Sequence, residues 1–490
     1  MNLCLFILIP FFGGIFCWLF DNKKYQLAKL YALFSMFLTF LLSIFFCYKD
    51  FFCTSSLYYF KEEFIVAWIP FLGIHFHLML DGLSLIMIIL STLLGVVAIF
   101  FSKYSSKKNP GLFYLNFLFI FLGAIGIFLS ADLFLFFCFW EMMLIPIYFC
   151  VIFWGNSEYN KQEKIDTVNQ FLIYTQISSM CMLFSILILV FNGYNYINYL
   201  TFDYNQLITI PISIFYEYLV MLGFFIAFAV KMPIFPFQNW VPNLHSKLPI
   251  DGSIDICGMM IKVALYGFLR FHMIFFRHEL HFFFPVAVLL GIITIFYSSV
   301  MAFSEKNVKK IISYSSISHM GFLLVALYCG NIFSFYGVVI QILCYSLSTS
   351  MLFILFSKIY FNFRTTNINR FGGIYSHIKW IPSLFLFFLF VNLNFPGTLS
   401  FVGELIILLS IFSNSPPIAY ILIFSLLFSV IYSLNILHKI FYGKYKNMKI
   451  NTITQINHCE VFLIFSLSII IIYFGLFPKY IIKMIHIFNT

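Results

Sequence analysis

The sequence predicts an all-α polytopic membrane protein of about fourteen transmembrane helices, on three observations. Hydrophobic residues make up 62% of the 490 and charged residues only 9%, against about 45–50% and about 25% in a soluble domain, so the chain cannot fold in water. Apolar runs of the ~20 residues that cross hydrocarbon recur from the first residues to the last. Lysine and arginine collect in alternate connections between those runs, as loops retained on the cytoplasmic side do.

The expected spans are 2–20, 29–47, 78–101, 111–130, 132–153, 168–191, 214–231, 254–276, 282–303, 308–328, 332–357, 380–410, 417–438 and 460–482. The first has no basic residue before it and no small-residue cleavage site after it, so it reads as a retained helix and not a signal peptide. The seventh ends on Val-Lys-Met-Pro-Ile-Phe-Pro, where Pro233 and Pro236 each remove a backbone donor and break the helix. The twelfth is too long for one straight span and is interrupted by Asn394, Pro396 and Gly397. Broken helices at membrane depth are tolerated only where they are buried in protein or line a cavity, and they mark ion sites in transporters. The eleven cysteines form no Cys-x-x-Cys pair and no Cys/His cluster of zinc or iron–sulfur spacing. No span carries the paired histidines of a haem site, and there is no Gly-rich phosphate loop or nucleophile triad.

Orientation follows from the basic residues. One set of loops holds Lys23, Lys24, Lys29, Lys103, Lys107, Lys108, Lys161, Lys164, Lys247, Lys306, Lys309, Lys310, Lys358, Arg364, Arg370, Lys379, Lys439, Lys444, Lys446 and Lys449, twenty in all. The alternate set holds five, Lys49, Lys61, Arg277, Lys479 and Lys483. Both termini are therefore expected outside the cytoplasm. The net charge of +10 is a topology signal with no nucleic-acid partner implied.

Three basic residues remain inside spans, Lys231, Lys262 and Arg270; Glu141 and Glu404 lie well inside apolar helices, and Asp132 and Asp255 nearer helix ends. An ionisable group at the bilayer centre costs about 2.5–3.5 kcal/mol on insertion scales, so a chain that keeps several uses them. Asp132 and Asp255 read as helix N-terminal caps, and Arg270 either snorkels to the interface or functions. Glu141 stands nine residues into its span, about 13 Å along at 1.5 Å per residue, and forms with Lys231 either a structural pair or part of an ion site. Lys262 has no acid in its own span beyond Asp255 at the first turn, and lysine, unlike arginine, can release its proton when buried. His319 is the one histidine near mid-span and follows a Ser/Tyr-rich stripe, which favours a proton relay over a satisfied core residue. Glu404 follows the second helix break. Glu, Lys, Lys, His and Glu thus run through two halves with a broken helix in each, the organisation of repeat-built transporters.

Taken together, several motifs resemble one family. They are Cys-Phe-Trp-Glu-Met-Met-Leu-Ile-Pro around Glu141, Val-Lys-Met-Pro-Ile-Phe-Pro around Lys231, Leu-His-Ser-Lys-Leu-Pro, Ile261-Lys262 with Tyr-Gly-Phe-Leu-Arg, Ser-Tyr-Ser-Ser-Ile-Ser-His-Met-Gly, and Phe-Pro-Gly-Thr with Phe-Val-Gly-Glu404. The family is the antiporter-like subunits of respiratory complex I, and the resemblance runs over essentially the whole chain. It implies fourteen helices, with N-terminal helices 1–3 in residues 1–110, two inverted five-helix repeats in 111–276 and 277–440 whose seventh and twelfth helices are broken, and a last helix in 441–490. It implies that the Glu141–Lys231 pair modulates Lys262, that protons pass through His319, and that Glu404 stands at the exit side. It implies a subunit of an H⁺-translocating NADH:quinone reductase, driven by quinone reduction elsewhere, with no redox centre, cofactor or metal on this chain. NADH, flavin, iron–sulfur clusters and ubiquinone then belong to the complex. The implied partners are the other membrane subunits, including neighbouring antiporter-like subunits, with the lipid bilayer and protons; the implied location is the bacterial inner (plasma) membrane.

The sequence departs from the family pattern at three places. Gln238 stands where a histidine is usual, Asn243 where an aspartate is, and Tyr345 where helix 11 usually has histidine. A tyrosine hydroxyl orders water, but its pKa is near 10, so that step is either water-borne or weakened. A cation/proton antiporter or membrane-hydrogenase subunit shares the fold, and a non-pumping structural subunit is a third reading. Glu404 and the Trp-Glu-Met-Met-Leu-Ile-Pro segment favour complex I over the second, and the full set of intramembrane charges argues against the third.

The charge count makes a direct prediction. A reporter fused at Gly443 scores cytoplasmic and one fused at Thr490 scores external; a cytoplasmic C-terminus refutes the span count.

Overall fold

The structure, a computed structural model, describes residues 2–19, 25–53, 62–102, 109–249, 256–276, 280–376, 380–442 and 457–486. Asp255, the loop residues Lys23, Lys24, Lys61, Lys103, Lys107, Lys108, Arg277, Lys379, Lys444, Lys446 and Lys449, and the reporter positions Gly443 and Thr490 lie outside the described residues.

Twelve helices among the described residues are long and apolar enough to cross a membrane. The two other expected spans are ones the backbone interrupts. Ile256–Gly267 runs into a π turn at Phe268–His272, and Ile381–Asn392 stops before Leu399–Asn414 begins. The chain is therefore a multi-pass helical membrane protein. Span boundaries shift outward where capping chemistry allows: the sixth helix runs Lys161–Ile197, started by an Asn160/Glu163 capping box. Its 37 residues extend about 55 Å, well past the ~30 Å hydrocarbon.

Three spans are broken or kinked by proline. The seventh ends at Lys231 and resumes as Trp240–Lys247. The twelfth is interrupted around Asn394, Pro396 and Gly397, with Asn394 (φ 55°) and Gly397 (φ 92°) both left-handed. The fifth divides at Met143 into Leu133–Met142 and Leu144–Trp154, a kink the span reading did not foresee. Its cause lies in the sequence: Pro146 brings no N–H to the Met142 carbonyl and its ring crowds that turn.

A two-stranded hairpin is the other departure. Glu62–Ile69 pairs antiparallel with Ile74–Leu80 around a turn at Pro70–Gly73, where 78–101 was expected to be all helix. Helix begins only at Gly82, behind an Asp81/Ser84 capping box. The hairpin is tied down by backbone bonds, with Ala131 N–H donating to the His77 carbonyl at 3.0 Å. A contact of 2.8 Å joins His77 Nδ1 to Asp203 Oδ2. Burial raises the Asp203 carboxyl pKa, but the His77 contact and the backbone N–H groups of Asn205 and Gln206 together outweigh it and hold the carboxyl below its usual range.

The chain forms two compact units, one of Met1–Met232, Met259–Leu280 and Lys483–Thr490, the other of Pro233–Gly258 and His281–Ile482. In the first, every position from 259 to 272 is buried, and Tyr266 Oη donates to the Phe128 carbonyl at 3.0 Å. Asp132 caps the fifth span as expected, accepting from the backbone N–H groups of Phe134 and Leu135. In the second unit, Gly337 and Gly403 let two helices touch: a Cβ on Gly403 would lie 3.1 Å from the Gly337 carbonyl oxygen. That close approach brings the Glu404 turn against the helix Ile332–Phe363.

Two basic residues counted as loop charges prove to be buried in helices. Lys358 lies within Ile332–Phe363 and pairs with Glu460 at 2.5 Å, and Lys309 donates to the Leu248 carbonyl at 3.0 Å. The described chain supplies each with an acceptor, so neither needs the aqueous loop.

Candidate proton-transfer site

The first unit holds Glu141, Lys231 and Lys262. Lys231 is the last residue of its half-helix, where the unpaired carbonyls of a helix C-terminus favour a cation. Its buried ammonium donates to the Trp140 carbonyl at 3.3 Å and lies 3.6 Å over the Trp140 ring, a cation–π geometry. Glu141 is the next residue after Trp140. Among the described residues Glu141 and Lys231 make no direct ion-pair contact, and Glu141 Oε1 is buried without a hydrogen-bond partner. The two residues read as a pair from the sequence thus lie to either side of Trp140, which Lys231 contacts, close to the kink that Pro146 creates. The Glu141 side chain is only half-buried, so it also reaches the surface of the chain.

Lys262 is buried on the helix Ile256–Gly267, five residues before the π turn. That turn carries Arg270, and here the structure chooses between the two sequence readings: Arg270 does not snorkel. It is buried, ion-paired with Asp81, 3.8 Å from Met79 Sδ and 5.1 Å over the Tyr204 ring. Its charge is held by a fixed acid partner.

The second unit brings His319 and Glu404 together with Tyr345. The imidazole of His319 stacks on the Tyr345 ring with centroids 4.0 Å apart and planes at 24°. Asn394, in the break of the twelfth span, places Nδ2 at 3.1 Å and Oδ1 at 3.3 Å from Tyr345 Oη. A cavity of about 20 Å³ open to water centres lies among Ser299, Ser318, His319, Tyr345, Glu404 and Ser429. One water needs about 10–15 Å³ on that measure. His319 Nε2 and Glu404 Oε1 are buried without a hydrogen-bond partner, the condition that makes a water in such a space favourable. The serine stripe before His319 turns inward on itself: Ser313, Ser315, Ser316 and Ser318 each donate to a carbonyl three or four residues back. Each hydroxyl is then satisfied in hydrocarbon while its oxygen stays available as an acceptor.

Gln238 is buried with Oε1 lacking a hydrogen-bond partner. Pro233 and Pro236 flank Phe235, whose N–H donates to Thr294 Oγ1 at 3.0 Å, so the break is satisfied by a neighbouring helix. Sequence reasoning had Asn394 only as a helix breaker. Its amide function was signalled by its place beside a proline, on the same broken span as an acid, but nothing in the spacing pairs it with Tyr345. Among the described residues no three His, Cys, Asp or Glu side chains converge as a metal would need.

Comparison with known proteins places this geometry. Residues 130–431 match the family model for the transmembrane part of NADH:quinone oxidoreductases and Mrp antiporters. The subunit M of NADH-quinone oxidoreductase from Escherichia coli is 41% identical over 484 residues, 98% of this chain and 95% of that one. The chain belongs to this family. Two solved structures share the family fold. A chain of respiratory complex I from Thermus thermophilus is 22% identical with a TM-score of 0.83, over 99% of this chain and 97% of that one. A chain of the Mrp complex from a Dietzia species is 18% identical with a TM-score of 0.85, over 99% of this chain and 51% of that one. The fold is common to both branches of the family, and the full-length sequence identity lies with the oxidoreductase.

Arg270 supplies the test of how charges are sorted in this family member. Removing one partner of a buried ion pair costs about 3–5 kcal/mol, because the other charge is stranded. Arg270→Met therefore lowers the thermal stability of the membrane-embedded chain, and adding Asp81→Asn, which keeps the helix cap, recovers most of the loss. Equal stability of the single and double variants refutes the pairing.

Proposed function

We propose that protons cross the membrane through this chain by way of Glu141, Lys231, Lys262, His319 and Glu404, driven by quinone reduction in other subunits. The chain is an antiporter-like, proton-translocating membrane subunit of an NADH:quinone oxidoreductase and part of respiratory complex I. What is proposed is the path. The observation that carries it is that Lys231, Lys262, His319 and Glu404 are buried in apolar helices, at a depth where each ionised group costs several kcal/mol. A fixed charge in this chain has a fixed partner, as Arg270 has Asp81 and Lys358 has Glu460. Glu141, His319 and Glu404 instead keep buried polar atoms without partners, which supports groups that exchange protons with water.

The reading assigns Glu141 and Lys231 to tuning the charge on Lys262, His319 to relay, and Glu404 to the exit side. It keeps the repeats at residues 111–276 and 277–440, with both termini on the non-cytoplasmic side of the bacterial inner membrane. The half-buried Glu141 supports a neighbouring antiporter-like subunit as partner, because a carboxylate left facing lipid is costly. NADH, flavin, iron–sulfur clusters and quinone are assigned to other subunits, with no cofactor on this chain.

Lys262 is the residue whose chemistry tests the path. Arginine stays charged at any physiological pH (pKa above about 12), so it holds a cation where the path needs one that comes and goes. Lys262→Arg should be at least as damaging to proton pumping as Lys262→Ala, with NADH oxidation by ferricyanide intact in both. Proton uptake into inverted membrane vesicles reads the difference. Near-normal pumping with Lys262→Arg refutes the switch, because a permanent charge would then suffice.

A further inference from the structure

Tyr345 stands where a titrating side chain is expected, and its surroundings assign it a task. Its ring covers His319 at 4.0 Å, its hydroxyl is held by Asn394, and it lines the same small cavity as His319 and Glu404. Asn394 adopts φ 55°, a left-handed conformation that asparagine and glycine tolerate and most residues do not. The helix break thus serves to carry this amide to the hydroxyl.

We propose that Tyr345 is a proton-relaying residue between His319 and Glu404, and that Asn394 is the positioning residue that holds its hydroxyl for the transfer. The proposal rests on the path given above. A phenol with a reference pKa near 10 is a poor carrier of a lasting charge, and the transfer asks for none. A proton arriving from the His319 side bonds to Tyr345 Oη as the hydroxyl's own proton leaves to a cavity water. The water passes one of its protons to a Glu404 carboxylate oxygen. One O–H bond forms at the tyrosine as another breaks, the tyrosine and the water end as they began, and the net transfer is one proton. Asn394 Nδ2, at 3.1 Å, occupies a lone pair of Oη as a donor. The same hydroxyl donates to Asn394 Oδ1 at 3.3 Å, so the amide fixes Oη at the edge of the cavity and the proton leaves that bond for the water. The size of the cavity favours a single water as the link to Glu404: about 20 Å³ holds one or so.

The experiment uses the assembled complex in inverted vesicles, with proton uptake read against ferricyanide reduction. Tyr345→Phe keeps the ring over His319 and removes the oxygen, and Asn394→Gly keeps the left-handed backbone and removes the amide. Each is expected to lose the same share of pumping as Glu404→Gln, and the double variant to lose no more than the worse single one. Tyr345→His, which carries protons on its own ring, is expected to pump and to make Asn394→Gly silent when combined with it. A merely structural role for Asn394 would leave its loss equally harmful in either background, and that result overturns the positioning role. Wild-type pumping by Tyr345→Phe, with Glu404→Gln impaired, overturns the hydroxyl relay and leaves the wider path standing. Wild-type pumping by Glu404→Gln removes the path and the relay with it.

Discussion

Hydrocarbon offers no hydrogen-bond partner to a backbone amide or to a charge, and the rest of the structure follows from that constraint. It makes almost the whole described chain helical, turns the hydroxyls of buried serines back onto their own helices, and allows a helix to break only where another side chain meets the freed groups. The breaks show the rule at work. Thr294 accepts from Phe235 beside Pro236, and in the twelfth span Ser400 Oγ donates to the Val391 carbonyl at 2.6 Å while Gln341 donates to the Ser400 carbonyl at 2.8 Å. Polar side chains are therefore already gathered at each break, and the ionisable groups sit beside them: Glu141 at the Pro146 kink, Lys231 at a half-helix end, Glu404 after the second break.

The same constraint divides the buried charges into two kinds. Arg270 with Asp81, and Lys358 with Glu460, are closed pairs of opposite charge. Such pairs hold helices together and add little net stability over apolar residues of the same size. Lys231 rests instead on a carbonyl and an aromatic face, partners that favour its charge without neutralising it. His319 and Glu404 border a water-sized cavity. On the proposed reading electron transfer lies on other subunits, so a proton path here responds to charge at a distance. Groups with weak, uncharged partners are the ones whose protonation a distant charge can change.

Much of the fold was legible because the signals are local and strong. Hydropathy located the spans, and Pro233, Pro236 and Pro396 located two of the three interruptions. Pro146 was in plain view but sat four residues beyond a helical turn already taken as continuous, and a single proline in a transmembrane helix often only bends it. The hairpin was missed because Phe64 to Ile69 is apolar on both faces, so period-two alternation is weak, although the Pro-to-Gly turn was present. Of the proposed site, the candidate residues came from the sequence. Their partners could not, since the Asp81–Arg270 and Tyr345–Asn394 contacts join residues far apart in the chain. The family motifs marked Tyr345 as a departure, and only the packing showed that Asn394 meets it.

The central claim is that buried acids in this chain gain and lose protons while the complex turns over. Infrared difference spectroscopy of the assembled complex, before and after addition of NADH, reads this directly through the carbonyl stretch of a protonated carboxyl group. The account predicts a carboxylic-acid band that changes on turnover and is lost from the spectrum of the Glu404→Gln variant. A turnover spectrum with the same carboxyl bands in the variant and the wild type would contradict it.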